Sequence, residues 1–263
     1  MTNNFERCNA VTLDYEGGND DDPRDPGGRT SRGITQREWD AYLRTHSGRG
    51  YSADVWKAPQ AAIVDIYRSQ YWNPVDGNQW PTGLDLCVYD AGVNSGLGKS
   101  LVWARSTLSL QQGSFMSMAA AASAVRDQPA LIKRYQARRL SFLHALRTWA
   151  YFGKGWARRV AGIEAIATKW ALQAAGKPPE IVQHTLQQES SKANRKAQAS
   201  GAASATAPAA PIAHITLIDH SSWLHYAVDI ALVVAVGATV AFLLYACYVH
   251  ALRANALERA SHG

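Results

Sequence analysis

The sequence predicts a mainly α-helical protein that ends in one transmembrane helix. Apolar side chains recur every three or four residues through residues 4–174, which is the period of an amphipathic helix. Strand and helix patterns do not alternate, and only the loop around residues 24–34 can hold a small hairpin. Near the other end, 20 consecutive residues from Ile230 to Val249 include no Asp, Glu, Lys, Arg or His.

The helices of the first part can be placed from their end signals. The first covers residues 4–16 and ends at a glycine pair that suits a C-cap. After a Gly/Asp/Pro-rich loop, Thr35 with a Glu three positions later forms a capping box that begins the second helix. Pro59 suits the first turn of a third helix, which runs to about Trp72. Further helical patterns cover about residues 84–93, 99–109, 114–125, 129–149 and 155–174.

The composition changes after this helical part. Residues 187–211 are mostly Ala, Ser, Gln, Lys and Pro, which cannot supply a packed core, so we expect a flexible linker over residues 176–222. The uncharged run beyond it has no second apolar segment to bury it. It therefore predicts a transmembrane helix over residues 223–249 and a short tail over residues 250–263.

The charges on either side of the uncharged run predict its orientation. The residues from Ala210 to Asp229 include no Lys or Arg, whereas the tail carries Arg253 and Arg259. The positive-inside rule then predicts a single-pass protein with a cytoplasmic tail and the preceding domain on the outer side of the membrane.

A basic and aromatic run covers Gln128 to Ile163, with eight Lys or Arg and no acid. It is interpreted as an amphipathic helix pair with a solvated basic side and an aromatic core. The functional alternative is attraction to an anionic polymer, either nucleic acid or a bacterial envelope rich in carboxylates and phosphates. Nucleic acid is not expected as a partner, because no zinc-finger, RNP-type or helix-turn-helix pattern is present.

The three cysteines are too few for a disulfide scaffold. Cys8 and Cys87 are interpreted as core thiols, although they can pair if the protein is exported. No metal-ligand cluster, phosphate loop or Ser-His-Asp order is supported, so we expect neither a metal nor an organic cofactor.

The segment that best fits a catalytic role begins at Glu16, in the last turn of the first predicted helix. The negative end of the helix dipole disfavours a second negative charge there, so we expect its pKa to be raised. A carboxylic acid that stays protonated near neutrality suits general acid catalysis at a glycosidic oxygen. Asp25, across the glycine-rich loop, is the candidate second carboxylate, and Thr30 is a candidate for holding the attacking water. A helix cap followed by a solvated acidic loop is the alternative interpretation.

Two later segments carry candidate substrate-binding residues. Tyr89 can stack on a sugar ring, and Asn94 can hydrogen-bond to an N-acetyl group; a core tyrosine and a helix C-cap are the alternatives. Trp156 can bind glycan, but core packing explains it equally well.

Together these segments resemble the motifs of glycoside hydrolase family 108, which comprises bacterial and phage N-acetylmuramidases. The matching strings are Glu16-Gly17-Gly18, Asp25-Pro26-Gly27-Gly28 with Thr30, Gly33-Ile34-Thr35, Tyr89 to Gly96, and Gly155 to Val160. The resemblance covers about residues 8–170 and implies a lysozyme-like helical fold with a small hairpin or loop. It also implies cleavage of the β-1,4 bond between N-acetylmuramic acid and N-acetylglucosamine, with Glu16 as the catalytic acid.

The resemblance also implies how the domain divides and where this chain departs. Residues 1–95 correspond to a catalytic half and residues 96–175 to a helical peptidoglycan-binding half. The spacing from Glu to Asp is similar to that in lysozymes of T-even phages, in which a Thr at the place of Ser31 helps to hold the water. Asn19 stands where the family is expected to have an aromatic residue.

The sequence thus predicts a muramidase for phage-driven host lysis, with peptidoglycan as its partner. We expect it in the host inner membrane through Ile230 to Val249, with the catalytic domain on the periplasmic or outer side. Two alternatives stay open: a bacterial wall-remodelling muramidase that assists secretion, and a non-catalytic, membrane-tethered peptidoglycan-binding protein. The oligomeric state and the stereochemistry of the reaction are not predicted.

Overall fold

The computed structural model describes residues 4–21, 28–111, 115–205 and 223–263 and divides the chain into two compact units, residues 1–177 and 178–263. The first unit is mainly helical with a short antiparallel sheet, so the predicted fold class is confirmed. Its helices are α1 Phe5–Glu16, α2 Gln36–Thr45, α3 Gln60–Tyr67, α4 Leu84–Ser95, α5 Leu97–Thr107, α6 Phe115–Ser123, α7 Gln128–His144 and α8 Trp149–Ala174. Its strands are β1 Asn19–Asp20, β2 Thr30–Ser31 and β3 Ile34–Thr35.

The first helices begin and end at the residues that the sequence indicates. Gly17 caps α1 with a φ of 75°, a conformation that glycine adopts without strain. At the start of α2, the Thr35 side chain accepts a hydrogen bond from the backbone of Glu38, and the Glu38 side chain accepts one from the backbone of Thr35. The capping box is therefore present. After α3 the helix continues through a π-helical stretch, Arg68–Trp72.

The small sheet holds a tight hairpin beside the end of α1. Strand β2 pairs with both β1 and β3, and the Ser31–Ile34 pair leaves Arg32 and Gly33 as a two-residue turn. Both turn residues have positive φ, 50° and 78°, as a type I′ turn requires. The backbone N–H of Arg32 donates to the carbonyl of Gly18 over 2.9 Å, and the Tyr67 hydroxyl donates to the carbonyl of Arg32 over 2.8 Å. These bonds fix the turn between α1 and α3.

Helix α4 lies at the centre of the first unit. All of its residues from Leu84 to Gly92 are buried, and it contacts α1, α5, α7 and α8. A helix that packs on several sides in this way has no solvent-facing stripe in its buried part. Cys8 and Cys87 are both free and buried in the same core.

The break between α7 and α8 differs from the sequence prediction. Helix α8 begins at Trp149, earlier than the expected residue 155, and α7 ends at His144 rather than near residue 149. The two glycines in this part of the sequence weaken a helical pattern. In the structure the Trp149 ring packs over Gly153 so closely that a Cβ atom there has no room, which explains a glycine inside α8.

The prediction of a flexible linker over residues 176–222 is wrong for residues 179–205, which belong to the second unit. Residues Pro179–Ala205 form helix α9, and Trp223–His262 form helix α10. Among the residues that suggested a linker, Ala, Gln and Lys are also good helix formers. Small and apolar side chains at three- and four-residue spacing are buried along α9: Val182, Leu186, Ser190, Ala193 and Ala197. Residues 206–222 of the predicted linker lie outside the described residues.

Helix α9 runs antiparallel to the C-terminal half of α10. The Ser190 hydroxyl donates to the carbonyl of Ala254 over 3.0 Å, and Arg253 pairs with Glu189 over 3.2 Å. Further along, Gly201 lies beside Cys247. The chain therefore enters this hairpin at the end where the C-terminus of α10 lies.

Helix α10 is long and apolar enough to cross a membrane. Its segment Val234–His262 contains a long apolar stretch that is not buried within the protein. Val234, Phe242 and Leu244 are 55–66% exposed. By length and composition alone, this helix is a candidate for a membrane span.

Introducing a cysteine at position 201 tests the α9–α10 hairpin. A Cβ atom at Gly201 lies 3.5 Å from the sulfur of Cys247, so we expect Gly201→Cys to form an intramolecular disulfide under mild oxidation. Intact-mass measurement and non-reducing gels detect it, and Gly201→Cys combined with Cys247→Ser is the control. Only disulfide-linked dimers, or no oxidation, would contradict the hairpin.

Candidate active site

Glu16 is the last residue of α1, as the sequence predicts, and its side chain faces the hairpin turn. The side chain is 18% exposed. A Cβ atom built on Gly33 lies only 2.8 Å from Glu16 Oε2 and 2.5 Å from the Tyr67 hydroxyl oxygen. The carboxyl group can therefore lie against the turn because position 33 has no side chain.

A positively charged side chain of α8 contacts the same carboxyl group. Arg159 Nη2 lies 2.7 Å from Glu16 Oε1, and the arginine side chain is only 7% exposed. The expectation from the sequence considered only the end of α1, which disfavours the ionised carboxylate. In the structure, a buried guanidinium lies beside the carboxyl group at this helix end.

Arg159 also belongs to a buried ion-pair network around Asp90 of α4. Its Nε lies 3.0 and 3.2 Å from the two Asp90 carboxylate oxygens, and its Nη2 lies 2.8 Å from Oδ1. On the other side, Arg139 Nη1 of α7 donates to Asp90 Oδ2 over 2.6 Å. Burial by itself raises the pKa of Asp90, but the two guanidinium groups outweigh it and hold that pKa below its ordinary value.

Two tyrosines that follow one another by one turn, Tyr67 and Tyr71, lie near Glu16. Tyr67 lies beside Gly33, and both Tyr67 and Tyr71 interact electrostatically with the Glu16 carboxylate. Burial is the main cause that raises both pKa values, to about 12 for Tyr71. Both phenols are therefore neutral hydroxyl groups at the pH of a cell.

The other two predicted catalytic residues have different outcomes. Asp25 lies outside the described residues. Thr30 is in β2, where its hydroxyl donates to the carbonyl of Asp20 over 3.5 Å and its own carbonyl accepts from Trp56 Nε1 over 2.9 Å. The next residue, Ser31, is buried, and its hydroxyl oxygen accepts from Arg32. The hydroxyl of Thr30 therefore lies on the more exposed side of β2.

The prediction that Tyr89 stacks on a sugar is wrong. Its side chain is fully buried, its ring packs against Phe5 and Trp72, and its hydroxyl donates to Asn9 over 2.8 Å. The reason is that α4 lies at the centre of the unit, so Tyr89 is a core residue. Asn94, at the end of α4, accepts a hydrogen bond from Arg139 Nη2 over 3.0 Å. This bond ties Asn94 to the ion-pair network, and its contact with an N-acetyl group stays a prediction.

Trp156 lies on α8, one turn before Arg159. It is half-buried and packs against two aromatic rings of the same helix, Phe152 at 5.6 Å and Trp149 at 6.2 Å. Phe152 is 57% exposed. We call these three residues the aromatic face. Its member nearest to the site, Trp156, is 3 positions before Arg159, which contacts Glu16.

The sequence reasoning missed the ion-pair network. One signal was present, because Asp90 interrupts a strongly apolar stretch, and a buried acid requires a cation. The sequence alone does not identify that cation. Arg159 is 69 positions away from Asp90, and it belongs to the basic run that is interpreted from the sequence as a solvated helix side. Among the described residues, no group of three His, Cys, Asp or Glu side chains lies close enough to hold a metal ion.

Comparisons with known proteins identify the family of the chain. A family model described as Glycosyl hydrolase 108 matches residues 9–96, a range that includes Glu16 and Asp90. No curated protein matches the chain. Among solved structures, Brucella abortus SagA is similar at 31% sequence identity and a TM-score of 0.54, over 64% of this chain and 95% of SagA. The chain is thus a glycoside hydrolase of the lysozyme type, and it belongs to the glycosyl hydrolase 108 family.

Proposed function

We propose that the protein is an N-acetylmuramidase that cleaves the β-1,4 bond between N-acetylmuramic acid and N-acetylglucosamine in peptidoglycan. Glu16 acts as the general acid that protonates the glycosidic oxygen. The observation that carries the proposal is the placement of Glu16: a partly exposed carboxyl group at a helix end, against a turn whose glycine leaves it room. Membership of the glycosyl hydrolase 108 family supports peptidoglycan as the substrate.

Asp25 and Thr30 are proposed to act on the other side of the scissile bond. Glycosidases commonly use a second carboxylate as a nucleophile, as a base for water or as an electrostatic partner of the cationic transition state. The sequence spacing supports Asp25 for this role. The hydroxyl of Thr30, on the exposed side of β2, supports its role in holding the attacking water.

The nature of the products tests the proposed bond. We expect the full chain to release new reducing ends from purified peptidoglycan, and reduction with borohydride followed by acid hydrolysis to give muramicitol. Glucosaminitol instead would show a glucosaminidase, and an anhydro-muramic end without a reducing group would show intramolecular transfer. Binding without any new end would support the non-catalytic, membrane-tethered alternative.

The aromatic face is proposed to contribute to wall binding, with Trp156 as its inner member. We expect Trp156→Ala to weaken binding of the full chain to insoluble peptidoglycan by about three- to tenfold, since one aromatic contact contributes about 0.5–1.5 kcal/mol beyond its buried area. Co-sedimentation measures this. Tyr151→Ala is the matched control, because Tyr151 is on the same helix, 84% exposed and outside the aromatic face. Equal loss in both variants would contradict the proposed role.

Helix α10 is proposed to attach the protein to a membrane, because its exposed apolar side chains otherwise lie in water. The charges of Arg253 and Arg259 support a cytoplasmic tail. However, the chain enters the α9–α10 hairpin at the same end as that tail. A single crossing with the domain and the tail on opposite sides therefore requires α9 to leave α10, and the Gly201→Cys disulfide formed in membranes tests whether it does.

Host lysis is the biological role that we propose, with wall remodelling for secretion as the second candidate. A lytic enzyme delivered by its own membrane helix is expected to clear a growing culture soon after expression. A remodelling enzyme leaves cells intact while it releases small amounts of glycan. Culture turbidity, followed together with soluble muramic acid, separates the two roles.

A further inference from the structure

Glu16 is the outermost member of a four-residue charged cluster, which consists of Glu16, Arg159, Asp90 and Arg139. Asp90 lies between two guanidinium groups, and Arg159 lies between two carboxylates. The formal charges sum to zero when Glu16 is ionised. Asp90 and Arg139 have no exposed side-chain surface, so water does not screen their charges strongly.

We propose that Asp90 is a positioning residue that controls the protonation of Glu16 by neutralising Arg159. This inference rests on the proposed role of Glu16 as the acid of a glycosidase. Three of the contacts of Arg159 go to Asp90, whereas one goes to Glu16. Asp90 thereby fixes the guanidinium and reduces its attraction for the Glu16 carboxylate, so that Glu16 can hold a proton when substrate is bound.

The charges of the cluster predict opposite effects for its two buried inner members. Without the charge of Asp90, two buried cations remain near Glu16, which then stays ionised to lower pH. Without the charge of Arg139, Asp90 compensates Arg159 more fully, and Glu16 takes up a proton more readily. Both changes remove the same Asp90–Arg139 ion pair, so a purely structural role predicts damage of the same kind from both.

The remaining titratable groups around the cluster do not supply this effect. On the Glu16 side, Tyr67 and Tyr71 are neutral because burial raises their pKa values. Glu38 of α2 interacts electrostatically with both tyrosines. On the Asp90 side, burial also raises the pKa values of the neighbouring groups, which are Cys8, Cys87, Tyr89 and Tyr135. Among the described residues, Arg159 is therefore the cation that couples Asp90 to Glu16.

The test is the pH dependence of kcat/KM for the full chain and three variants. A general acid works while it is protonated, so the rate falls as pH rises through its pKa. We expect Asp90→Asn to move this alkaline limb down by about one pH unit or more, and Arg139→Gln to move it up by about 0.5–1 unit. The double variant, whose charge balance is restored, is expected to return toward the wild-type profile.

Two measurements keep the inference separate from the proposed function and from folding. The position of the alkaline limb does not depend on the amount of folded protein when that amount is constant over the pH range, which circular dichroism at each pH checks. Arg139→Gln alone decides the matter if Asp90→Asn does not fold. Titration of ¹³C-labelled Glu side chains by NMR, with the Glu16 signal assigned through Glu16→Gln, follows the same shifts without any substrate. If the protein does not cleave peptidoglycan but the two single variants shift the NMR titration of Glu16 in opposite directions, only the proposed function is wrong. The inference is wrong if the alkaline limb and the NMR titration of Glu16 do not shift in the single variants. It is also wrong if both single variants shift them in the same direction.

Discussion

Glu16→Gln is expected to reduce the release of reducing ends from peptidoglycan by about 10²–10⁴-fold, the usual contribution of a general acid. Glutamine has nearly the same size and keeps an oxygen for Arg159, but it has no proton to give to the glycosidic oxygen. Arg159 also keeps its three contacts with Asp90 in this variant. We therefore expect circular dichroism and thermal unfolding to show a folded protein, so that the loss of rate is chemical.

Glu6→Gln is the matched control for this experiment. Glu6 lies on the same helix, in its first turn, and forms an exposed ion pair with Arg68. Exposed pairs contribute about 0–1 kcal/mol, so we expect nearly normal stability and full activity. If Glu16→Gln keeps more than about a tenth of the wild-type rate, the proton comes from another group and the proposed mechanism is wrong.

The position of Glu16 was predictable because it depends on local signals. A helix pattern, a glycine cap and a small hairpin are all predicted from local signals between residues 4 and 34, and the structure contains each of them. The partners of Glu16 were not predictable in the same way. Arg159 reaches the carboxyl group only because α8 packs against α4, and a hydrophobic pattern does not specify which arginine of a basic run is buried.

Two other predictions failed because composition and spacing carry no packing information. Residues 179–205 are poor in large apolar side chains, but a helix that packs on a neighbour through small residues does not need them. Tyr89 seemed available for a sugar because the alternative, a core tyrosine, gives the same local pattern. In both cases the deciding fact was the number of neighbouring elements, which only the tertiary structure provides.

Gly33→Ala is the second substitution from which we expect a large effect. An added methyl group at this position strains the backbone and also has no free space around it. Gly33 has a φ of 78°, which costs a residue with a Cβ atom about 1–2 kcal/mol. The added carbon lies 2.5 Å from the Tyr67 hydroxyl oxygen and 2.8 Å from Glu16 Oε2, so both side chains must move. A catalytic group displaced by about 1 Å commonly loses about a hundredfold in rate. We therefore expect kcat to fall by about that factor, while the unfolding temperature falls moderately.

Gly50→Ala separates the displacement of Glu16 from backbone strain. Gly50 has a similar φ of 63°, but a Cβ atom built on it meets nothing within 4 Å. We expect a comparable strain cost of about 1–2 kcal/mol from thermal unfolding, with kcat unchanged. Equal losses of kcat in the two variants would mean that strain alone explains the effect. A loss of kcat in Gly33→Ala alone would show that catalysis requires the carboxyl group of Glu16 to lie against the unsubstituted turn.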